Sequence, residues 1–290
     1  AIQDEIEKEL IKQSQDEEWL QKRERDDKRK RKGRIYASVD GFMAPLLDGW
    51  KEFRALAWYN VAENSPYVRK RHHNSGVGEQ NNLHAENIFY HCDKLEPKEM
   101  GELFWATGCQ QQADFHEELV VVADGAKWIW NMVDLHYPNA TQILDWYHAS
   151  QYLYPVADDA FGTESDDYKN WIEQSKALLW NGRIDKLIAE CKEFLDNPNV
   201  KKSAHAAVTF YTNNKKRMEY ARFREEGYFI GSGTIESAAK RLGELRLKEA
   251  GARWSKDGAV YTAKARAAWL GGQWAPIVAR RSAKSLPLGV

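Results

Sequence analysis

The sequence predicts an α/β fold in which three strands, a helix, a strand, a helix and a strand follow one another, and three observations predict it. Residues 119–122 (LVVV) form a continuous apolar, mostly β-branched run, short enough for a buried strand, and Asp124-Gly125 stops it. From Ala126 the apolar spacing changes to three or four residues, through Trp128, Ile129, Met132, Val133 and Leu135 to Tyr137-Pro138, which is helical, and residues 142–147 then read as a strand. An earlier run from Ile35 also ends on Asp-Gly, at Asp40-Gly41. Carboxylates are therefore expected where buried strands end, the place where α/β layers build sites.

The composition sets bounds on the rest. A chain of 290 residues, 43% apolar and with 12 Trp, fits one large domain or one domain with a sizeable insertion. Cys92, Cys109 and Cys191 lack CxxC spacing, so they are expected as reduced core thiols rather than a zinc site or a disulfide framework. No apolar run approaches the roughly 20 residues of a membrane span and no signal peptide is recognisable, so no membrane partner and a cytoplasmic location are expected. With a net charge of -1, any nucleic-acid role must rest on local patches and metal. The first residue is Ala, so an upstream segment is expected to be missing.

Taken in order, residues 1–34 are almost unbroken charge with sparse apolar positions. They predict a solvated helical linker or arm ending in the basic run 28–32, where Lys30 and Arg31 are candidates for DNA-backbone contact. Strands are expected at 35–41, 51–60 and 87–91, with a polar loop carrying Arg69 to His73 before the third, and a helix over 95–118. With the strand, helix and strand of 119–148, this is the element order of an RNase H-like sheet. Its first and fourth strands lie side by side, so Asp40 and Asp124 are expected to converge. Residues 149–226 show only helical patterns, at 149–161, 168–180, 184–195 and 204–223, and read as an all-helical insertion. Pro155 is expected to bend its first member and Asn197-Pro198 to break another. Residues 227–272 are expected to return to the core. There GSGTIES opens a helix capped by Ser232 or Thr234, with Glu236 near its first turn and Ile235, Ala238, Ala239, Leu242 and Leu245 as its apolar stripe. Residues 273–290 are expected to be a loose tail.

Asp40, Asp124 and Glu236 are the central candidates. Carboxylates gathered on rigid ends repel one another unless a cation lies among them, and hard oxygen ligands favour Mg2+ or Mn2+. Two such ions roughly 3.5–4 Å apart would activate an attacking hydroxyl and stabilise a leaving oxygen at a phosphodiester. The plainer alternative is that Asp-Gly only makes turns. It would be preferred for either pair alone and is outweighed by two on adjacent strands with a late Glu. Asp145 and His148 form a DxxH pair expected at a strand-to-helix junction. GSGT lacks the Lys and spacing of a Walker loop, which excludes nucleotide hydrolysis on that motif. His72, His73, His84 and His91 show no metal spacing and are expected in loops or on the surface, and the Trp residues mostly in the core. Lys240, Arg246 and Arg253 are candidate DNA contacts, with Trp254 beside them as a candidate for base stacking.

Together, SVDG on the first strand, VVADG on the fourth, ILDWYH, and GSGTIES followed by RLKEAGARWSKDGA resemble a DDE-type transposase of a bacterial insertion sequence. The likeness is to the mutator-like group with its C/D-x-x-H motif, and within it to the Kra and Lre lineages. It covers about residues 34–270, and DWYH with GSGTIES and ARWS is its most specific part. The resemblance implies that Asp40, Asp124 and Glu236 are the catalytic metal ligands and that Asp145 and His148 are accessory. It implies metal-dependent hydrolysis at transposon ends and attack of the freed 3′-hydroxyl on target DNA, by a homodimer or higher multimer on double-stranded DNA in the nucleoid. It also implies a separate N-terminal DNA-binding region. None is recognisable before Ile35, which leads one to expect a fragment or a shortened, domesticated copy. Two other classes stay open: a catalytically silent DNA-binding derivative, and an RNase H-like nuclease that cuts without joining.

Overall fold

The computed structural model describes residues 2–26, 31–63, 83–163, 165–231, 235 and 239–285; Lys30, Glu236, His72, His73, Ser232, Thr234 and Ala238 lie outside the described residues. The chain is a mixed α/β protein that folds as two compact units. One comprises Ala1–Val121, Trp128–Thr141 and Gly233–Val290, and the other Val122–Lys127 and Gln142–Ser232. The elements run α1 (Ile2–Ser14), α2 (Glu17–Asp26), β1 (Arg31–Leu46), β2 (Gly49–Glu63), β3 (Leu83–Asp93), α3 (Pro97–Gln110), β4 (His116–Ala123), α4 (Lys127–His136) and β5 (Thr141–Leu144). Helices α5 (Trp146–Gln151), α6 (Leu153–Phe161), α7 (Asp166–Trp180), α8 (Ile184–Glu193), α9 (Lys201–Asn214) and α10 (Tyr220–Glu225) follow, and then α11 (Lys256–Leu270) and α12 (Trp274–Ser285). The predicted order of five strands is present, in a sheet ordered β3-β2-β1-β4-β5.

In the first unit, β1 pairs antiparallel with β2 and parallel with β4, so the first and fourth strands are neighbours. β1 does not end at Asp40-Gly41 as the Asp-Gly signal suggested. It continues through Phe42 and Ala44, because β2 pairs with it in unbroken register from Tyr36↔Tyr59 to Leu46↔Gly49. The hairpin turns instead at Leu47-Asp48, and Gly49, which opens β2, has a φ of +105° that suits glycine. The fully buried Trp58, Leu56 and Phe53 of β2, Phe104 and Met100 of α3 and Ile129 of α4 form the core here. Trp58 stacks on Phe104 at 5.0 Å and donates its indole N–H to Thr107 Oγ1 at 2.9 Å.

Helix α3 starts where Glu96 and Glu99 form a reciprocal capping box and Pro97 fills the first position. It is shorter than the expected 95–118, because β4 begins already at His116. Leu135, expected on the buried face of α4, is 76% exposed. The three cysteines are free thiols and buried. No helix among the described residues is long and apolar enough to cross a membrane.

The described residues from 149 to 225 form only α- and 3-10 helices and turns, all in the second unit, whose longer segment starts earlier, at Gln142. The first expected helix breaks at Tyr152 rather than bending at Pro155. The proline ring crowds the carbonyl four residues back, at Gln151, so the chain restarts with Pro155 in the first turn of α6. The expected helix 204–223 is likewise two, α9 and α10. Tyr211 and Tyr220 are both fully buried and donate to Ala149 O and Leu144 O, at 3.0 and 2.8 Å. On one continuous helix they would lie about 180° apart; the break at 215–219 lets both point inward.

Returning to the first unit, Ile235, Ala239 and Leu242 are buried as the predicted stripe requires, whereas Leu245 is 55% exposed. Residues Lys240–Glu244 form a π turn. Within it Gly243 lies against the Phe42 ring so closely that a Cβ would overlap ring carbons. Gly243→Ala is therefore expected to destabilise the fold by about 1–3 kcal/mol, the cost of overpacking. Urea unfolding would measure it, and an unchanged midpoint would show that Phe42 can move aside.

Two expectations about the termini are corrected. The N-terminal arm is not a free solvated helix: Lys264 of α11 pairs with Asp4 and Glu7, Arg280 of α12 with Glu9, and Trp105 Nε1 donates to Ser14 O. The 273–290 tail contains α12, since Pro276 falls in its first turn, where the missing N–H is tolerated.

Candidate carboxylate site

Asp40 is half-buried on β1, opposite Ala55 of β2. Strand alternation puts Ser38, Asp40 and Phe42 on one face. Phe42 on that face carries Gly243, seven residues after Glu236. Glu236 itself is outside the described residues, as is Lys30. Ala37 of β1 is paired with Val121 of β4, and Asp40 and Asp124 each come three residues after that pair.

Within the second unit, Asp124 follows β4 directly. Its Oδ1 accepts the Ala126 N–H at 2.8 Å, an Asx turn that starts α4. The next residue, Gly125, lies against Phe210, which stacks on Tyr152 at 3.7 Å. A side chain at 125 would strike that ring. Asp145 is brought beside this turn by its own N–H, which donates to Ala123 O at 2.8 Å. It is fully buried and caps α5, accepting the His148 N–H at 2.8 Å, with His148 Nδ1 3.0 Å from the same oxygen. DWYH thus spans a strand-to-helix junction, as its spacing predicted, and brings Asp124, Asp145 and His148 into one neighbourhood. Asp124 keeps an exposed edge, whereas Asp145 is occupied in capping and in orienting His148. Burial pushes the Tyr220 phenol well up, and the nearby Asp145 charge adds to it, so this hydroxyl stays protonated as a donor to Leu144 O.

A second group was not legible in the sequence. Among the described residues, Glu7, His91 and Asp93 are the one set of three or more His, Cys, Asp or Glu whose ligand atoms lie within 4.8 Å of one another, and such a group could hold a metal ion. His91, expected on the surface, is 3% exposed on β3, because α11 covers that strand. The Lys264 ammonium already lies among these carboxylates, 2.6 Å from Glu7, 2.7 Å from Asp4 and 2.8 Å from Asp93. A metal would have to displace it. Burial lowers the Lys264 pKa, but the charges of Glu7 and Asp93 outweigh this and raise it overall. For His91, burial is the largest cause and lowers its pKa despite Glu7 and Asp93.

That sets a pH dependence. With a folded-state pKa below 6.5, His91 contributes stability that is present above pH 6.5 and is lost as the pH falls through the folded value. The expected loss is up to about 1.4 kcal/mol per pH unit. His91→Leu should flatten the curve between pH 6.5 and 5, measured by urea unfolding. An unchanged slope would assign the dependence to other groups.

Of the candidate DNA contacts, Arg31, Lys240, Arg246 and Arg253 are exposed. Arg246 pairs with Glu249 at 3.0 Å and lies over the Trp254 ring at 5.7 Å. Trp254 is half-buried, its carbonyl accepting the Leu47 N–H beside the β1–β2 turn. The expectation that Trp is mostly core fails at Trp50, Trp269 and Trp274, which are exposed.

Neither protein-family models nor the curated proteins give a match to this chain.

Proposed function

We propose that the chain is the RNase H-like core of a DDE transposase, cleaving DNA at transposon ends and joining the 3′-hydroxyl to target DNA. The observation that carries this reading is the equal three-residue offset of Asp40 and Asp124 from a paired position on parallel, neighbouring strands. Phe42 against Gly243 adds to it, placing the segment that follows Glu236 on the Asp40 face of β1. The reading assigns Asp40, Asp124 and Glu236 as ligands. An all-carboxylate donor set suits Mg2+ or Mn2+, and two such ions, when bound, would activate the attacking hydroxyl and neutralise phosphate charge. Asp145 fixes the His148 ring through Nδ1, and in this reading the oriented imidazole would assist at a phosphate or a transferring proton. Arg31, Lys240, Arg246 and Arg253 would hold the duplex by its phosphates, with a homodimer bringing two ends together.

The test is incubation of the full chain with a plasmid carrying its own coding locus and flanks, with Mg2+, Mn2+ or EDTA. Metal-dependent nicks at defined ends, followed by joined products, are the expected result. Nicks without joining would favour a nuclease, and binding without nicks a silent DNA-binding derivative; either overturns the transposase reading.

A further inference from the structure

A groove of about 670 Å³ lies in the first unit between the turns after the π segment and the α11–α12 corner, within the size range of ligand sites. Arg241, Arg246 and Arg266 line it together with Tyr261, Trp269 and Trp274; none of its described lining residues is acidic, and Arg246 is paired with Glu249 at 3.0 Å outside that lining. The three aromatic side chains are 51%, 66% and 39% exposed, an unusual outlay of large rings at a surface. Trp269 and Trp274 meet edge to face at 6.1 Å, across a turn in which Gly272 has a φ of +73° and Gly271 is pressed so near Tyr90 N that no side chain fits. Arg266 donates Nε and Nη2 to Arg241 O, which fixes its guanidinium along the groove wall.

We propose that this groove binds a single-stranded segment of nucleic acid. Three arginines against the one carboxylate of Glu249 leave an excess of positive charge that favours an anion, and guanidinium matches phosphate geometry. Exposed Trp and Tyr rings ask for flat apolar faces, which unpaired bases present and a stacked duplex hides. An acidic peptide would satisfy the arginines but leave the three rings without partners. The proposal goes beyond the strand-transfer reading: it shares Arg246 with the duplex contacts of that reading but uses neither the carboxylates nor a metal.

The experiment is fluorescence anisotropy of a labelled oligo-dT of about 12 nucleotides with the full chain in EDTA, so that loss of cleavage cannot be confused with loss of this site. Binding that weakens with salt is expected, with Trp269→Ala raising Kd on the order of tenfold and Tyr261→Ala shifting it the same way. Both side chains are more than half exposed, so far-ultraviolet circular dichroism should show an unchanged fold. No binding of oligo-dT, equal Kd values in the folded variants, or displacement by polyglutamate as effective as by unlabelled oligo-dT would each overturn it; the last would mark the groove as a site for an acidic protein.

Discussion

Asp124→Asn is expected to abolish metal-dependent cleavage and joining while leaving the chain folded. The substitution is matched to the local geometry. Asp124 Oδ1 accepts the Ala126 N–H at 2.8 Å, and asparagine keeps an oxygen able to do the same, so the turn into α4 survives. What goes is the negative charge that would hold a divalent ion. A bound metal contributes several kcal/mol of charge stabilisation to phosphoryl transfer, so losing a ligand corresponds to a fall of about 10²- to 10⁴-fold in rate. Circular dichroism and a thermal midpoint near wild type would certify the fold, and the plasmid assay would read the activity. Asp145→Asn is the control. Asp145 is fully buried and acts through His148, so a loss of about 10- to 100-fold is expected, as for groups that orient a ligand or a catalytic residue. Full activity in Asp124→Asn with none in Asp145→Asn would mean that the two acids have exchanged roles.

How much of this was legible in the sequence depended on whether the signal was local. The LVVV run and the DWYH junction carry their own strand and capping signals within a few residues, and both were readable. The end of β1 was not, because Asp40-Gly41 looks like a turn until β2 is there to pair with it; the hairpin register, a contact at a distance, overrode the local preference. Glu7 and His91 escaped for the same reason. Each looks like an ordinary polar residue of a charged arm or a strand, and only the docking of α1 and α11 buries them together. Trp269 and Trp274 were misplaced in the opposite direction, since composition argues for burial and only the α11–α12 corner turns them outward.

Removal of the Lys264 ammonium has the largest expected effect on stability. Lys264 lies 2.6–2.8 Å from Asp4, Glu7 and Asp93, and its side chain is 6% exposed. Lys264→Met keeps the apolar stem and deletes the charge that lies among the carboxylates of Asp4, Glu7 and Asp93. Breaking a buried ion pair from one side costs about 3–5 kcal/mol, and α1, which supplies Asp4 and Glu7, should show faster hydrogen exchange than in wild type. The pH dependence separates loss of charge from loss of packing. In the wild type the raised Lys264 pKa is a contribution fully present below the unfolded value of 10.5 and lost only as the pH rises through the folded one, so it is constant between pH 5 and 7. His91 makes the wild type lose stability as the pH falls through that interval. In Lys264→Met the ammonium charge that helps hold the His91 pKa down is gone and His91 becomes the cation available to Glu7, so stability should fall less steeply than in the wild type as the pH falls. The deficit measured by urea unfolding should therefore shrink from pH 7 to pH 5. An equal deficit at both would mean that His91 gains nothing from loss of the ammonium and that the Lys264 charge does not act on it.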